Sequence, residues 1–353
     1  MNFVVSLVAV LALVLVAYLG VAEAGLYTLF GVVLPYIAIV LLLVGIVWRV
    51  LRWARVPVPF RIPTTCGQQK SLDWVKQNKL DNPATKAQTV GRMILEVLFF
   101  RSLFRNTRLD FRVDEGKVVY GPTKWLWLAG LVFHYSFLVI FLRHMRFFTE
   151  PVPGFVTLLQ DVDGFFQVGV PELYLTSFLL LGAVGYLLLR RLYIPQMRYL
   201  SLASDYFPLL LILGIGSTGV LLRHLVKTDV VGVKELGMSL LALDPVTPAD
   251  VHWLFYCHLL FVVVLFMYFP FSKLMHMAGV FLSPARNMAN NNRAERHVNP
   301  WNYPVDVHTY EEYEDDFREK MVKAGIPVEK TPEQAAAEES SAQKTAEPAA
   351  EKE

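Results

Sequence analysis

Cysteine is almost missing from this chain of 353 residues: Cys66 lies in a polar loop and Cys257 in an apolar stretch, and there are no others. Two thiols so placed build neither a disulfide framework nor a Cys-ligated iron–sulfur cluster, so any iron–sulfur chemistry belongs to a partner. Polar sequence is also short, because hydrophobic residues make up 54% of the chain and gather into long runs. That excludes an ordinary soluble domain and implies an integral membrane protein. Net charge is only +2 at pH 7, and no nucleic-acid partner is expected. Basic residues are absent from 150–170, and such local bias, rather than the total, sets orientation in a bilayer. The first apolar run ends in Ala22-Glu23-Ala24, which imitates a cleavage site, but the positive segment a signal peptide needs does not precede it. An uncleaved first helix is therefore expected.

The runs define six expected spans: Phe3–Val21, Leu26–Val47, Trp125–Phe148, about Leu173–Leu189, Tyr206–Leu222 and Val251–Gly279. An all-α membrane bundle follows. Arginine clusters at Arg49, Arg52 and Arg55, at Arg190, Arg191 and Arg198, and at Arg286, Arg293 and Arg296 mark the cytoplasmic side of what is expected to be a bacterial inner membrane, with both termini inside. Two spans occupy 1–51, and a basic cytoplasmic loop fills 52–124. Within that loop 90–104 reads as an interfacial helix or as a helix packed on a partner. Residues 125–280 form a four-helix core. Residues 281–326, with an acidic and aromatic helix inside 305–324, form a partner-binding segment, and the Ala, Glu, Lys and Pro bias of 327–353 reads as a disordered tail.

Histidine in the middle of apolar helices carries the chemistry. Hydrocarbon offers an imidazole no partner, so His134 and His144 in the third span and His258 and His276 in the sixth must meet something. The third span runs outward and the sixth inward, so His144 and His258 share the outer half and His134 and His276 the inner half. Two cross-helix pairs are the arrangement that holds two haem b irons between axial imidazoles. The spacings disagree, however: ten residues of helix advance about 15 Å, and the eighteen between His258 and His276 about 27 Å. Arg143 and Arg146, beside His144, are candidates for neutralising haem propionates or for meeting lipid headgroups. At the outer mouth, His224, His252, Arg223 and Asp250 are candidates for a quinone site, or interfacial hydrogen bonders. Gly214 to Gly219 matches G-x-G-x-x-G, but no strand precedes it, so close helix packing or room for a porphyrin is expected there instead.

The ten-residue and eighteen-residue histidine spacings resemble the diheme cytochrome b subunits of respiratory nitrate reductases, the gamma-subunit family, over spans three to six. The loop RIPTTCGQQKSLDWVKQNKLDNP and the tail beginning LSPARNMANNNRAERHVNPWNYP are similar to the DsrM family, membrane cytochromes b of sulfite-reduction-associated DsrMKJOP complexes. The resemblance implies His144 with His258 on an outer haem, His134 with His276 on an inner one, and menaquinone or ubiquinone as mobile substrate. It also implies a cytoplasmic iron–sulfur subunit of the DsrK type acting on the DsrC persulfide carrier. A periplasmic multihaem cytochrome c, a periplasmic iron–sulfur protein and a second membrane subunit would complete the complex. The competing expectations are a haem-free membrane anchor, a cytochrome b of another respiratory oxidoreductase, or a proton-relaying transporter. Missing internal repeats count against the last.

Overall fold

The computed structural model describes residues 1–56, 74–166, 171–248, 251–282, 289 and 308–338. Cys66 and Asp250 lie outside the described residues. The chain forms two compact units, Met1–Val298 and Asn299–Glu353.

Among the described residues six helices are long and apolar enough to cross a membrane: Asn2–Glu23, Leu29–Arg55, Lys124–Phe147, Leu175–Tyr193, Ala203–Val226 and Trp253–Phe271. The first comprises α1 (Asn2–Ala17) and a wider π-helical turn, and the second enters α2 (Leu34–Arg55) through another. Small and apolar side chains, Ala17, Val21, Val184, Leu211, Tyr256 and Phe261, fill the interior. Outward, Val8, Leu11 and Leu15 of α1 and Val40, Leu43 and Val44 of α2 are each more than half exposed. Such a greasy exterior is the reverse of a soluble helix and suits lipid. Asn2 and Ser6 donate to the carbonyls of Ser201 and Ala203, so the start of α1 meets the start of the fifth span. That side of the bundle is called the Asn2 end, and the opposite one the Glu23 end.

Between the second and third spans the described residues, from 74 onward, are more ordered than a loop. Helix α3 (Lys86–Phe99), capped by Thr85, joins α4 (Arg101–Phe104), and a hairpin of β1 (Thr107–Arg112) and β2 (Lys117–Pro122) leads into α5 (Lys124–His144). Alternation of Leu109 and Phe111 with Val118 and Tyr120 around Asp114-Glu115-Gly116 gives the hairpin one apolar face. Asp81 holds this region together. It pairs with Arg101 at 3.0 Å and also with Arg105, whose contact holds its carboxyl below the usual range.

The segment after the third span folds as α6 (Gly154–Asp163), followed by β3 (Gly164–Phe166) paired with β4 (Leu173–Tyr174). Next come α7 (Leu175–Tyr193), α8 (Ala203–Leu221) and α9 (Val230–Leu241), the last capped by Asp229 and tied to α2 by Tyr36 Oη donating to the Leu240 carbonyl.

The sixth span departs from the expectation of one continuous helix over Val251–Gly279. Helix α10 (Trp253–Tyr268) stops, Phe269–Phe271 makes a tighter 3-10 turn, and Ser272 is extended. Pro270 is the cause, since it has no N–H to continue the ladder and its ring obstructs the preceding turn. Ser272 then caps a second tight turn, Lys273–Met275, and His276–Gly279 follows as a short helical turn. Tyr268 Oη donates to the Ser204 carbonyl at 3.2 Å and Lys273 Nζ meets Asp205 Oδ1 at 2.7 Å, anchoring the break at the start of α8. Pro270 is buried against Gly45 of α2, where an added Cβ would lie 2.7 Å from the proline ring.

In the Asn299–Glu353 unit, α11 (Tyr310–Lys323) carries a buried Glu314. Its carboxylate accepts from the backbone of Glu329 and Lys330, which lowers its pKa, and 332–338 is helical. That stretch falls within the tail expected to be disordered.

Gly45→Val should push Pro270 out of its seat. Overpacking of this kind costs about 1–3 kcal/mol, and thermal unfolding of the detergent-purified chain should show the loss; an unchanged midpoint would mean that α2 does not hold the break.

Candidate functional site

The break in the sixth span brings the histidines together. His134 and His276 have ring centroids 6.0 Å apart at the Asn2 end, and His144 and His258 lie 6.4 Å apart at the Glu23 end. From His258 to the end of α10 at Tyr268 is ten residues, the same helical length that separates His134 from His144, and the tight turns after it add little rise. The disagreement between 15 and 27 Å therefore disappears.

Each ring has its Nδ1 engaged. His134 donates to the Gly130 carbonyl and His144 to the Ile140 carbonyl, both at 2.7 Å, and His276 to the Lys273 carbonyl at 3.0 Å. A carbonyl only accepts, so Nδ1 carries the proton and Nε2 keeps its lone pair. His258 reaches the same state differently. The Thr218 hydroxyl donates to the Gly214 carbonyl at 2.7 Å and so receives His258 Nδ1–H at 2.9 Å. A carbonyl or hydroxyl behind the ring is the support that metal-bound imidazoles use.

These residues fit haem. A metal–imidazole bond is about 2 Å and the ring centroid lies roughly 1 Å behind the nitrogen, so two axial imidazoles have centroids about 6 Å apart. Both pairs match. Among the described residues no group of three or more His, Cys, Asp or Glu is gathered as a metal site, and a porphyrin, which supplies four nitrogens itself, asks the protein for only two. His134, His144 and His276 are exposed and His258 half-buried, which keeps ring surface accessible to a bound group. The planes differ: 12° at the Glu23 end, 86° at the Asn2 end.

The glycine run of α8 serves helix packing. A Cβ at Gly214 would lie 2.9 Å from Phe261, and one at Gly216 2.9 Å from Leu181, whereas Gly219 faces the His258 ring at 3.4 Å.

The remaining candidates have separate partners. Arg143, buried, lies 3.1 Å from Asp163 Oδ2 off the line of its Nε–H, an ion pair rather than a hydrogen bond, and its Nη2 reaches Thr176 at 3.3 Å. Asp163 also accepts from the Thr176 amide and hydroxyl. Arg143 and Arg223 sit over the Tyr174 ring at 3.7 and 4.2 Å, and Arg223 donates to the Glu172 carbonyl. The Arg143 charge is thus already balanced by a carboxylate that sequence reasoning did not single out. Arg146 donates to Gln160 at 2.6 Å. His252, exposed, caps α10 through the Leu254 amide, and His224 lies half-buried in the π-helical turn Leu222–Val226.

Residues 93–290 match the nitrate reductase gamma subunit family. Relatives include the Hdr-like menaquinol oxidoreductase cytochrome b-like subunit of Archaeoglobus fulgidus, 46% identical over 79% of this chain and 85% of its own length. The protein of the same name from Archaeoglobus profundus is 44% identical over 76% and 81%.

Thr218→Val removes the acceptor behind His258 at nearly constant volume. Haem affinity at the Glu23-end pair should fall roughly 10- to 100-fold on titration, the size of effect seen when such supporting groups are lost, with the other pair unchanged.

Proposed function

The chain belongs to the nitrate reductase gamma-subunit family of membrane cytochromes b, and on that premise we propose that it holds two haem b groups and passes electrons between the quinone pool and a cytoplasmic iron–sulfur subunit. The observation that carries this reading is the two cross-helix histidine pairs, each ring with Nδ1 satisfied and Nε2 free. His134 with His276 and His144 with His258 would hold the groups, and haem held there would supply one-electron exchange.

The chain's residues divide the work by end. The Asn2 end, where the basic loop attaches, faces the cytoplasm in this reading. There His134 and His276 hold the inner group close to an iron–sulfur partner. The Glu23 end faces outward, with His144 and His258 holding the outer group. Oxidation of a quinol releases two electrons and two protons, and at this end His224 and His252, with Asp250, accept the protons while Arg223 lines the mouth. Arg146, hydrogen-bonded through one nitrogen, keeps further donors for a propionate. Arg143, whose charge Asp163 meets, acts through its position beside His144.

The relatives' names support menaquinol as the quinone and a heterodisulfide-reductase-like complex as the setting. Within it, a DsrM-type role would couple the pool to a DsrK-like subunit acting on the DsrC persulfide carrier. A periplasmic multihaem cytochrome c, a periplasmic iron–sulfur protein and a second membrane subunit would complete the assembly.

A dithionite-reduced spectrum of the purified chain should show haem b absorption. Reduction by a menaquinol analogue should slow at least tenfold in His224→Ala or His252→Ala. No haem b band would contradict the haem reading; unchanged quinol-driven reduction in both variants would contradict the placement of the quinone.

A further inference from the structure

Helices α3 and α4 meet at Phe100, whose backbone is left-handed at φ 51 and ψ 48. For a bulky side chain this conformation is strained, and it persists only where surrounding contacts hold it. Two side chains of α5 supply them. Trp127 Nε1 donates to the Phe99 carbonyl at 2.7 Å, and Tyr135 Oη donates to the Leu98 carbonyl at 3.0 Å. Both acceptors belong to the last turn of α3, whose carbonyls lack intrahelical partners. Beyond the hinge, Glu96 accepts from the Ser102 amide and hydroxyl at 3.0 and 2.8 Å while paired with Arg92.

Trp127 and Tyr135 flank His134 on α5, and the hinge they pin lies against that histidine. The Phe100 ring meets the His134 imidazole edge-on, with centroids 4.9 Å apart and planes at 75°. Leu103 packs beneath Gly130, where an added Cβ would lie 3.4 Å from its Cδ2, and the Gly130 carbonyl is the acceptor for His134 Nδ1. Phe133 closes another side of the ring at 4.9 Å. His134 is thus held from behind by a carbonyl and from the side by a strained residue of a different element. No comparable contact from α3 or α4 reaches the other three histidines among the contacts described.

We propose that Phe100 is a positioning residue: its left-handed backbone, pinned by Trp127 and Tyr135, presses its ring on His134 and sets that imidazole perpendicular to His276. The inner pair then keeps its 86° angle because α3 and α4 hold one ring, while the outer pair, whose His144 meets only Phe147 of its own span edge-on at 5.8 Å, stands at 12°. The inference rests on the haem reading for its spectroscopic signature but not for its geometry.

The test compares low-temperature electron paramagnetic resonance of the oxidised full chain with that of Phe100→Gly, Phe100→Tyr and the double variant Trp127→Phe/Tyr135→Phe. Phe100→Gly permits the backbone conformation and deletes the ring. It should move the inner-pair signal away from that of perpendicular imidazoles, and the double variant should move it in the same direction. Phe100→Tyr should restore it. The outer-pair signal serves as the control for folding and should stay fixed in all three. An inner-pair signal identical in wild type and Phe100→Gly overturns the proposal. If the wild-type chain binds no haem, the haem reading fails separately, and the geometry is then tested by diethyl pyrocarbonate labelling of His134. Labelling should rise severalfold in Phe100→Gly and return in Phe100→Tyr, and equal labelling overturns the proposal.

Discussion

Two helices can present two pairs of side chains to one another only if the rise between the paired positions is equal on both. Ten residues of unbroken helix separate His134 from His144, and the partner strand of the arrangement has eighteen residues in which to cover the same distance. Pro270 resolves this. By ending α10 ten residues after His258 and turning the chain tightly, it returns His276 to the depth of His134. The turn depends in turn on a residue far away in sequence, since only a glycine at position 45 lets α2 approach the proline ring. The N-terminal spans are therefore part of the site although they contribute none of its four histidines.

Imidazole in an apolar interior is stable only when both nitrogens are accounted for. The chain meets half of that requirement by itself, with carbonyls three or four residues earlier for three rings and a threonine relay for the fourth. The unmet half, an Nε2 lone pair on each of four rings gathered in two close pairs, suits metal ligation. The same economy governs charge at the Glu23 end, where Asp163 offsets Arg143 and two guanidinium groups sit over the Tyr174 ring. A buried cation left unpaired there would be strongly unfavourable.

Much of this is legible in the sequence. Apolar runs of spanning length are an unambiguous signal, and arginine bias orients them, which is enough to sort four histidines into two cross-helix pairs. What escaped had weak or competing signals. Pro270 was visible, but it sits in an apolar run where lipid-spanning helices tolerate proline, so the run read as continuous. The 107–122 hairpin alternates as a strand pair should, yet its arginines and lysines drew attention to topology instead. Asp163 and Thr218 carry no local signature: one lies in a loop helix and the other in a run of small residues, and each matters only through a partner on another element. The left-handed Phe100 is invisible in sequence, because a phenylalanine there announces neither a turn nor a cap.

Two histidine pairs of unlike geometry lie between the third span and the broken sixth. Electron paramagnetic resonance of the oxidised purified chain measures this directly, because the angle between axial imidazole planes shapes the low-spin ferric signal. Two low-spin signals of equal weight follow from this arrangement, one of the near-parallel and one of the perpendicular kind, with two haems per chain. A single signal, two signals of the same kind, or fewer than two haems per chain would contradict it.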